Sequence, residues 1–248
     1  MYGWRAKVGH VSPSRGDTLV YEFYQVAPKG VMLLNTTGTI RKIDKNDIEK
    51  QLQRIEENVL DLVETGADVI FVGGGPVIAS QGYEKGKEIF RRLQERAGVP
   101  VLASLETVEM ALGHLKLKSL AIASPYEEEH NRRVSQFLEQ AGFTVRYAQG
   151  LGIRKNTEIG NLPTYASYRI GKKVSGEAKG DIDGLYLPCS RWATIETVQL
   201  LENDTGKPVV SNSLAMIWAA LHILGIRETI DGYGTLLKTL CGSKGGSL

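Results

Sequence analysis

Short, wholly apolar runs alternate with longer amphipathic ones along nearly all of this 248-residue chain. That alternation constrains the fold more than any other feature. A run of three to six apolar residues is too short for a helix and fits a strand buried on both faces. An amphipathic run after each one supplies the crossover that a parallel neighbour requires. The strands expected on this basis are Ala6–Val11, Val31–Leu34, Val69–Val72 and Val101–Ala103, then Leu120–Ala123, Thr144–Tyr147, Leu185–Leu187 and Val209–Val210. A helix capped by Asp44 or Asn46 carries Ile48, Leu52, Ile55, Val59 and Val63, and stops at Gly66. Others are expected over Tyr83–Ala97, Glu127–Ala141, Pro163–Gly180, Thr194–Asn203 and Leu214–Leu224. Gly98 and Gly142 close two of them.

Two echoes divide the pattern into halves. Val11-Ser12-Pro13 recurs as Ala123-Ser124-Pro125. Gly98-Val99-Pro100-Val101-Leu102 recurs as Gly206-Lys207-Pro208-Val209-Val210. The order is the same and the offsets are nearly equal, as expected for two similar α/β lobes. The expected organisation is a first lobe over 1–115, completed by about 214–240, a second over 116–213 and a flexible tail over 241–248. Gly73-Gly74-Gly75-Pro76 in the first half is then the counterpart of Pro188-Cys189-Ser190-Arg191 in the second.

That second stretch concentrates the chemistry. An apolar strand ends in Cys189, Ser190 and a cation, which sets a thiol at a strand tip, the edge where open α/β sheets bind ligands. Ser12, Ser14, Gly73–Pro76, Ser124, Tyr126, Ser190 and Ser211–Ser213 occupy other tips, a set of hydroxyls and free N–H groups suited to a small carboxylate. The plain alternative is that serine, glycine and proline are ordinary turn residues and Cys189 a small core residue. Gly73–Pro76 is not a dinucleotide fingerprint, because Ile78 stands where the third glycine would be. A thiol near its usual pKa of about 8.5 is protonated at neutral pH and can give a proton to a carbanion. An apolar helix follows each echoed segment, and His114 and His222 occupy equivalent places late in the two and read as packing or helix-end residues, while His130 lies on a charged helix and reads as solvated. Trp192 and Trp218 read as core or pocket walls.

Bulk properties remove several classes of function. A net charge of +2 with no Lys/Arg block gives no support for nucleic-acid or membrane binding. Two cysteines, four histidines and neither CxxC nor HExxH argue against a zinc site. No signal-like or membrane-length apolar run occurs, so the expected location is the cytoplasm.

Taken together, Val8-Gly9-His10-Val11-Ser12-Pro13, Gly73–Pro76, Ser124-Pro125-Tyr126 with Asn131, Leu187-Pro188-Cys189-Ser190, Pro208–Ser211 and Gly232-Tyr233-Gly234 resemble the maleate isomerase and arylmalonate decarboxylase branch of the aspartate/glutamate racemase superfamily. The resemblance implies two pseudo-symmetric α/β lobes, each a four-stranded parallel sheet flanked by helices, with the active site in the cleft between them. It implies no metal and no organic cofactor, a small carboxylate substrate, no nucleic-acid or membrane partner, and leaves a homo-oligomer open. It assigns Cys189 and Tyr126 as catalytic, and Pro13, Ser14, Gly74, Gly75, Pro76, Ser124 and Ser190 as substrate-binding.

The departures from the family pattern rank the activities. Racemases and maleate isomerases of the superfamily carry one cysteine per lobe, and here Gly74 holds the first-lobe position, as in the decarboxylases. The hydroxyl residues that follow in the decarboxylases are replaced by Gly75 and Pro76, and Gly16-Asp17 stands near the isomerases' early asparagine. One thiol suffices to protonate an enediolate left by loss of CO2, but not for two-base racemisation. The expectation is a decarboxylase in which Cys189 protonates an enediolate held by Tyr126 and backbone N–H groups of Gly74, Gly75 and Ser190. The alternatives are a maleate-type or racemase-like isomerase and a non-catalytic carboxylate-binding relative.

Overall fold

The computed structural model describes residues 1–12, 17–37, 48–73, 83–178 and 180–241. The chain divides into two compact units, Met1–Glu106 and Thr107–Leu248. Residues 214–240, expected to complete the first lobe, fall in the second unit. The expected caps Asp44 and Asn46, and the tail beyond Cys241, lie outside the described residues.

In the first unit, β1 (Ala6–Ser12), α1 (Asp17–Val26), β2 (Val31–Thr37), α2 (Ile48–Glu64), β3 (Val69–Val72), α3 (Tyr83–Ala97) and β4 (Val101–Ala103) follow in order. The sheet order is β2-β1-β3-β4, with every pairing parallel. Parallel pairing buries both faces of the inner strands, so β3 is buried at all four positions. Ile55, Val59 and Leu62 of α2 and Phe90 and Leu93 of α3 pack with Val11, Ile70 and Val72. That face is the one the helical spacing in the sequence pointed to. The helix α1 has a weak sequence signal, because Tyr21 and Tyr24 stand exposed beside buried Leu19 and Phe23 and blur its apolar stripe.

His10 lies in this sheet, 1% exposed, with its ring Nδ1 2.7 Å from Asn35 Oδ1 of the neighbouring strand. Burial lowers its pKa from 6.5 to about 4, so the folded protein holds the ring neutral. The unfolded chain takes up a proton near 6.5 and the folded one near 4, so stability present above pH 6.5 is lost as pH falls between them. The loss approaches about 3 kcal/mol at about 1.4 kcal/mol per pH unit. Urea denaturation of the wild type and His10→Gln at pH 7 and pH 4.5 measures this. The wild type is expected to lose about 2–3 kcal/mol more than the variant, and equal losses would remove His10 as the cause.

The helix α4 (Ser104–His114) begins at the end of the first unit and leads, in the second, to β5 (Ser119–Tyr126), α5 (Glu128–Gln140), β6 (Thr144–Ile153), α6 (Asn156–Ile159), α7 (Tyr165–Glu177), β7 (Gly184–Leu187), α8 (Ile195–Thr205), β8 (Val209–Ser211), α9 (Asn212–Ile223) and α10 (Thr235–Lys238). A short 3-10 turn over Thr239–Cys241 follows. The second sheet has the order β6-β5-β7-β8, again all parallel. It therefore repeats the topology of the first, as the sequence echoes implied. The strand β6 runs six residues past its expected end at Tyr147. An edge strand is half-exposed, and Gly150 and Gly152 hide its continuation. The helix α5 ends as expected: Gly142 has φ +89°, and its N–H and that of Phe143 return to Glu139 and Leu138 carbonyls.

The helix α9 is buried from Asn212 through Leu221, and Ser211 caps it by accepting the Leu214 N–H at 3.3 Å. His114 and His222 pack against Trp218, with ring centroids 4.9 and 4.8 Å away, in keeping with a packing role. Among the described residues, no helix is long and apolar enough to cross a membrane.

Candidate active site

The parallel order brings the C-terminal ends of β5, β7 and β8 side by side in the second unit, with Ile122 opposite Tyr186 and Leu187 opposite Ser211. Tyr126 closes β5, Cys189 lies two residues beyond β7, and Ser211 passes directly into α9. The strand-tip location read from the sequence is thus where the thiol stands.

Cys189 has φ +88°, a conformation that a residue with a side chain adopts only under local strain. A tight turn enforces it, closed by the Trp192 N–H donating to the Cys189 carbonyl at 3.3 Å. Trp192 is fully buried and anchors the turn. Such strain costs about 1–3 kcal/mol and is held by the surrounding structure.

Burial pushes the half-buried thiol's pKa up. The Tyr126 hydroxyl, the backbone N–H groups of Arg191 and Trp192, and the Arg191 charge oppose that rise. The balance leaves a neutral thiol whose thiolate has donors waiting. Tyr126 is pushed well above its usual range, first by burial and then by Cys189, so it stays a phenol and a donor. Tyr186 is raised by burial and by Cys189, and its hydroxyl donates to Asn212 Oδ1 at 2.5 Å.

A buried network supports Tyr126. The Ser124 hydroxyl donates to Asn131 Oδ1 at 2.5 Å and accepts the Tyr126 N–H at 3.0 Å. Pro125 has no N–H for the ladder and sits in the register shift between Ser124 and Tyr126. Gly150 of β6 faces that shift: a Cβ there would meet Asn131 Nδ2 at 2.7 Å and Ser124 Oγ at 2.8 Å, and would overlap the Tyr126 carbonyl oxygen.

The structure therefore brings Cys189, Tyr126, Ser124 and Ser190 together at one sheet edge, with Ser124 fully buried beneath Tyr126 and Ser190 half-buried in the turn. Pro13, Ser14, Gly74, Gly75 and Pro76 lie outside the described residues. His130, expected in solvent, instead packs on Tyr126 with ring centroids 4.0 Å apart. Its place two residues into α5 turns it back toward the end of β5. Neither Tyr186 with Asn212 nor the Arg191 and Trp192 N–H groups at the sulfur could be read from the chain order, because both depend on strand neighbours and turn geometry. Gly150 lies beyond the expected strand end at Tyr147, and only the longer β6 makes it a glycine inside a strand, the mark of close backbone approach.

Comparison with known proteins agrees with this architecture. The chain is similar to the maleate isomerase of Pseudomonas putida, 23% identical over 250 residues, covering 94% of this chain and 97% of that protein. It superposes on a crystal structure of arylmalonate decarboxylase with a TM-score of 0.82 at 21% identity, covering 93% and 98% of the two chains. A Nocardia farcinica maleate cis-trans isomerase variant with a covalently bound succinylcysteine intermediate matches with a TM-score of 0.80 at 20% identity, covering 94% and 98%. These are two-sheet α/β proteins of the class the fold defines here. The arylmalonate decarboxylase family model matches residues 10–237, and the chain belongs to that family of enzymes.

Proposed function

We propose that the protein is a cofactor-independent lyase of the arylmalonate decarboxylase type, acting on a small dicarboxylate. The observation that carries this reading is a neutral thiol in a strained turn, with Tyr126 and two backbone N–H groups directed at its sulfur. In the reaction the bond between the α-carbon and one carboxylate breaks. CO2 leaves, and the electron pair remains on the α-carbon as an enediolate with the second carboxylate. Cys189 gives its proton to that carbon, forming the new C–H bond. The thiolate left behind is held by the Tyr126 hydroxyl, the Arg191 and Trp192 N–H groups and the Arg191 charge until water returns the proton. Tyr126 and Ser190 are proposed as contacts from the described residues. Pro13, Ser14, Gly74, Gly75 and Pro76 are proposed from the sequence alone.

Maleate-type isomerisation is the second reading, favoured by the same thiolate-holding groups and by the succinylcysteine seen in a related isomerase. It needs a thiolate at rest, which burial of Cys189 opposes. Racemisation by two thiols has no second candidate in the strand-tip set: Cys241 is exposed in the terminal turn, with the Thr229 hydroxyl on its sulfur at 3.0 Å.

Incubation with an arylmalonate and with maleate in D2O, followed by NMR, tests the proposal. The expected result is CO2 release from the malonate with one deuterium at the product's α-carbon. Fumarate formed from maleate without CO2 would replace the first reading by the second. Thermal stabilisation by either acid without turnover would mark a binding protein.

A further inference from the structure

The Tyr126 backbone is fixed on one side by Ser124 Oγ and on the other by its close approach to Gly150. Its hydroxyl reaches Cys189. The backbone restraints do not by themselves set the ring, whose place depends on its side-chain torsions and its neighbours. The His130 ring meets it with centroids 4.0 Å apart and planes tilted by 44°. His130 is in turn held by its neighbour: Asn131 is buried and accepts the Ser124 hydroxyl at 2.5 Å, and its N–H bonds the Glu127 carbonyl at 3.1 Å. One polar network thus sets both the phenol's backbone and the ring that lies against it.

We infer that His130 is a positioning residue, whose ring is the platform that holds the Tyr126 hydroxyl on the Cys189 sulfur. An aromatic pair at this separation is a favourable contact in its own right, and a tyrosine has only two torsions to restrain. His130 acts on the sulfur through Tyr126, the ring it lies against. The inference rests on Cys189 and Tyr126 being the reacting pair, but its consequence is a property of the thiol that needs no substrate.

The rate of iodoacetamide alkylation against pH reports the thiol's titration midpoint. Peptide mass analysis separates Cys189 from exposed Cys241. Tyr126→Phe removes a donor to the thiolate and is expected to raise the Cys189 midpoint by about one pH unit. His130→Ala is expected to raise it similarly, the double variant no further, and His130→Phe, which keeps a ring, is expected to retain the wild-type midpoint. Simple loosening would admit water and lower the midpoint instead, so the two mechanisms differ in sign. A His130→Ala midpoint that falls or stays put, additive shifts in the double variant, or a His130→Phe midpoint matching His130→Ala would overturn the inference. Because alkylation requires no turnover, failure of the decarboxylase proposal appears in the D2O experiment and leaves this result separate.

Discussion

Replacing Cys189 by serine is expected to lower turnover on the arylmalonate by about 10²–10⁴-fold, the usual contribution of a positioned acid. A hydroxyl is a far weaker acid than a thiol, so the enediolate waits for a proton from solvent. The residual product is therefore expected to lose its handedness. The thiol acts on a species formed after binding, so KM is expected to change much less than kcat. The strained turn is held by the Trp192 N–H on the residue 189 carbonyl and by the burial of Trp192, both of which remain when serine replaces the thiol. Near-wild-type thermal stability is expected, which separates lost chemistry from lost fold. Cys241→Ser is expected to keep full activity. Steady-state kinetics and chiral analysis of the product measure both variants, and full activity in Cys189→Ser would end the mechanism.

The second large effect is expected at Gly150, which touches no reacting group. Alanine there would force its Cβ onto the Tyr126 carbonyl, a backbone atom that cannot swing aside. Ser124 and Asn131 crowd the same point, and their hydrogen bond would be disturbed with it. Overpacking of this kind costs about 1–3 kcal/mol, and breaking the buried network adds to it. Tyr126 would move by a sizeable fraction of an ångström, and a displacement of about 1 Å at a site costs about 10²-fold in rate. Gly152 is the control two residues on. It has φ +76° but nothing within 4 Å of an added Cβ, so alanine there strains only the local backbone. Gly152→Ala is expected to cost about 1 kcal/mol and leave kcat/KM near wild type. Urea midpoints and kcat/KM for the two variants test the contrast, and equal effects would show that crowding at Tyr126 is not the cause.

Much of the architecture was legible because buried parallel strands are continuously apolar and their helices are striped. Val69–Val72 and Leu185–Leu187 stood out for that reason. The expected start of β1 and the helix over Tyr83–Ala97 agree with the structure to the residue. Cys189 and Tyr126 were legible because the residue after an apolar run marks a strand tip. What escaped had a different physical origin. The length of β6 was hidden by an edge strand's mixed exposure, and α1 by its two exposed tyrosines. His130 looked solvated because Glu128, Glu129, Arg132 and Arg133 surround it in sequence, and only the turn at Glu127 folds it back onto Tyr126.

By itself, then, the sequence determined two repeated α/β sets, the single strand-tip thiol and the family. The sets and the thiol follow from local composition and period, which a chain carries whatever its neighbours do, and the family from the resemblance of short motifs in their order and spacing. The tertiary structure alone decided the strain at Cys189, the donors around its sulfur and the network from Gly150 through Ser124 and Asn131 to Tyr126. Each of these depends on which strands lie side by side and how closely their backbones approach, and neighbours across a sheet are distant in sequence.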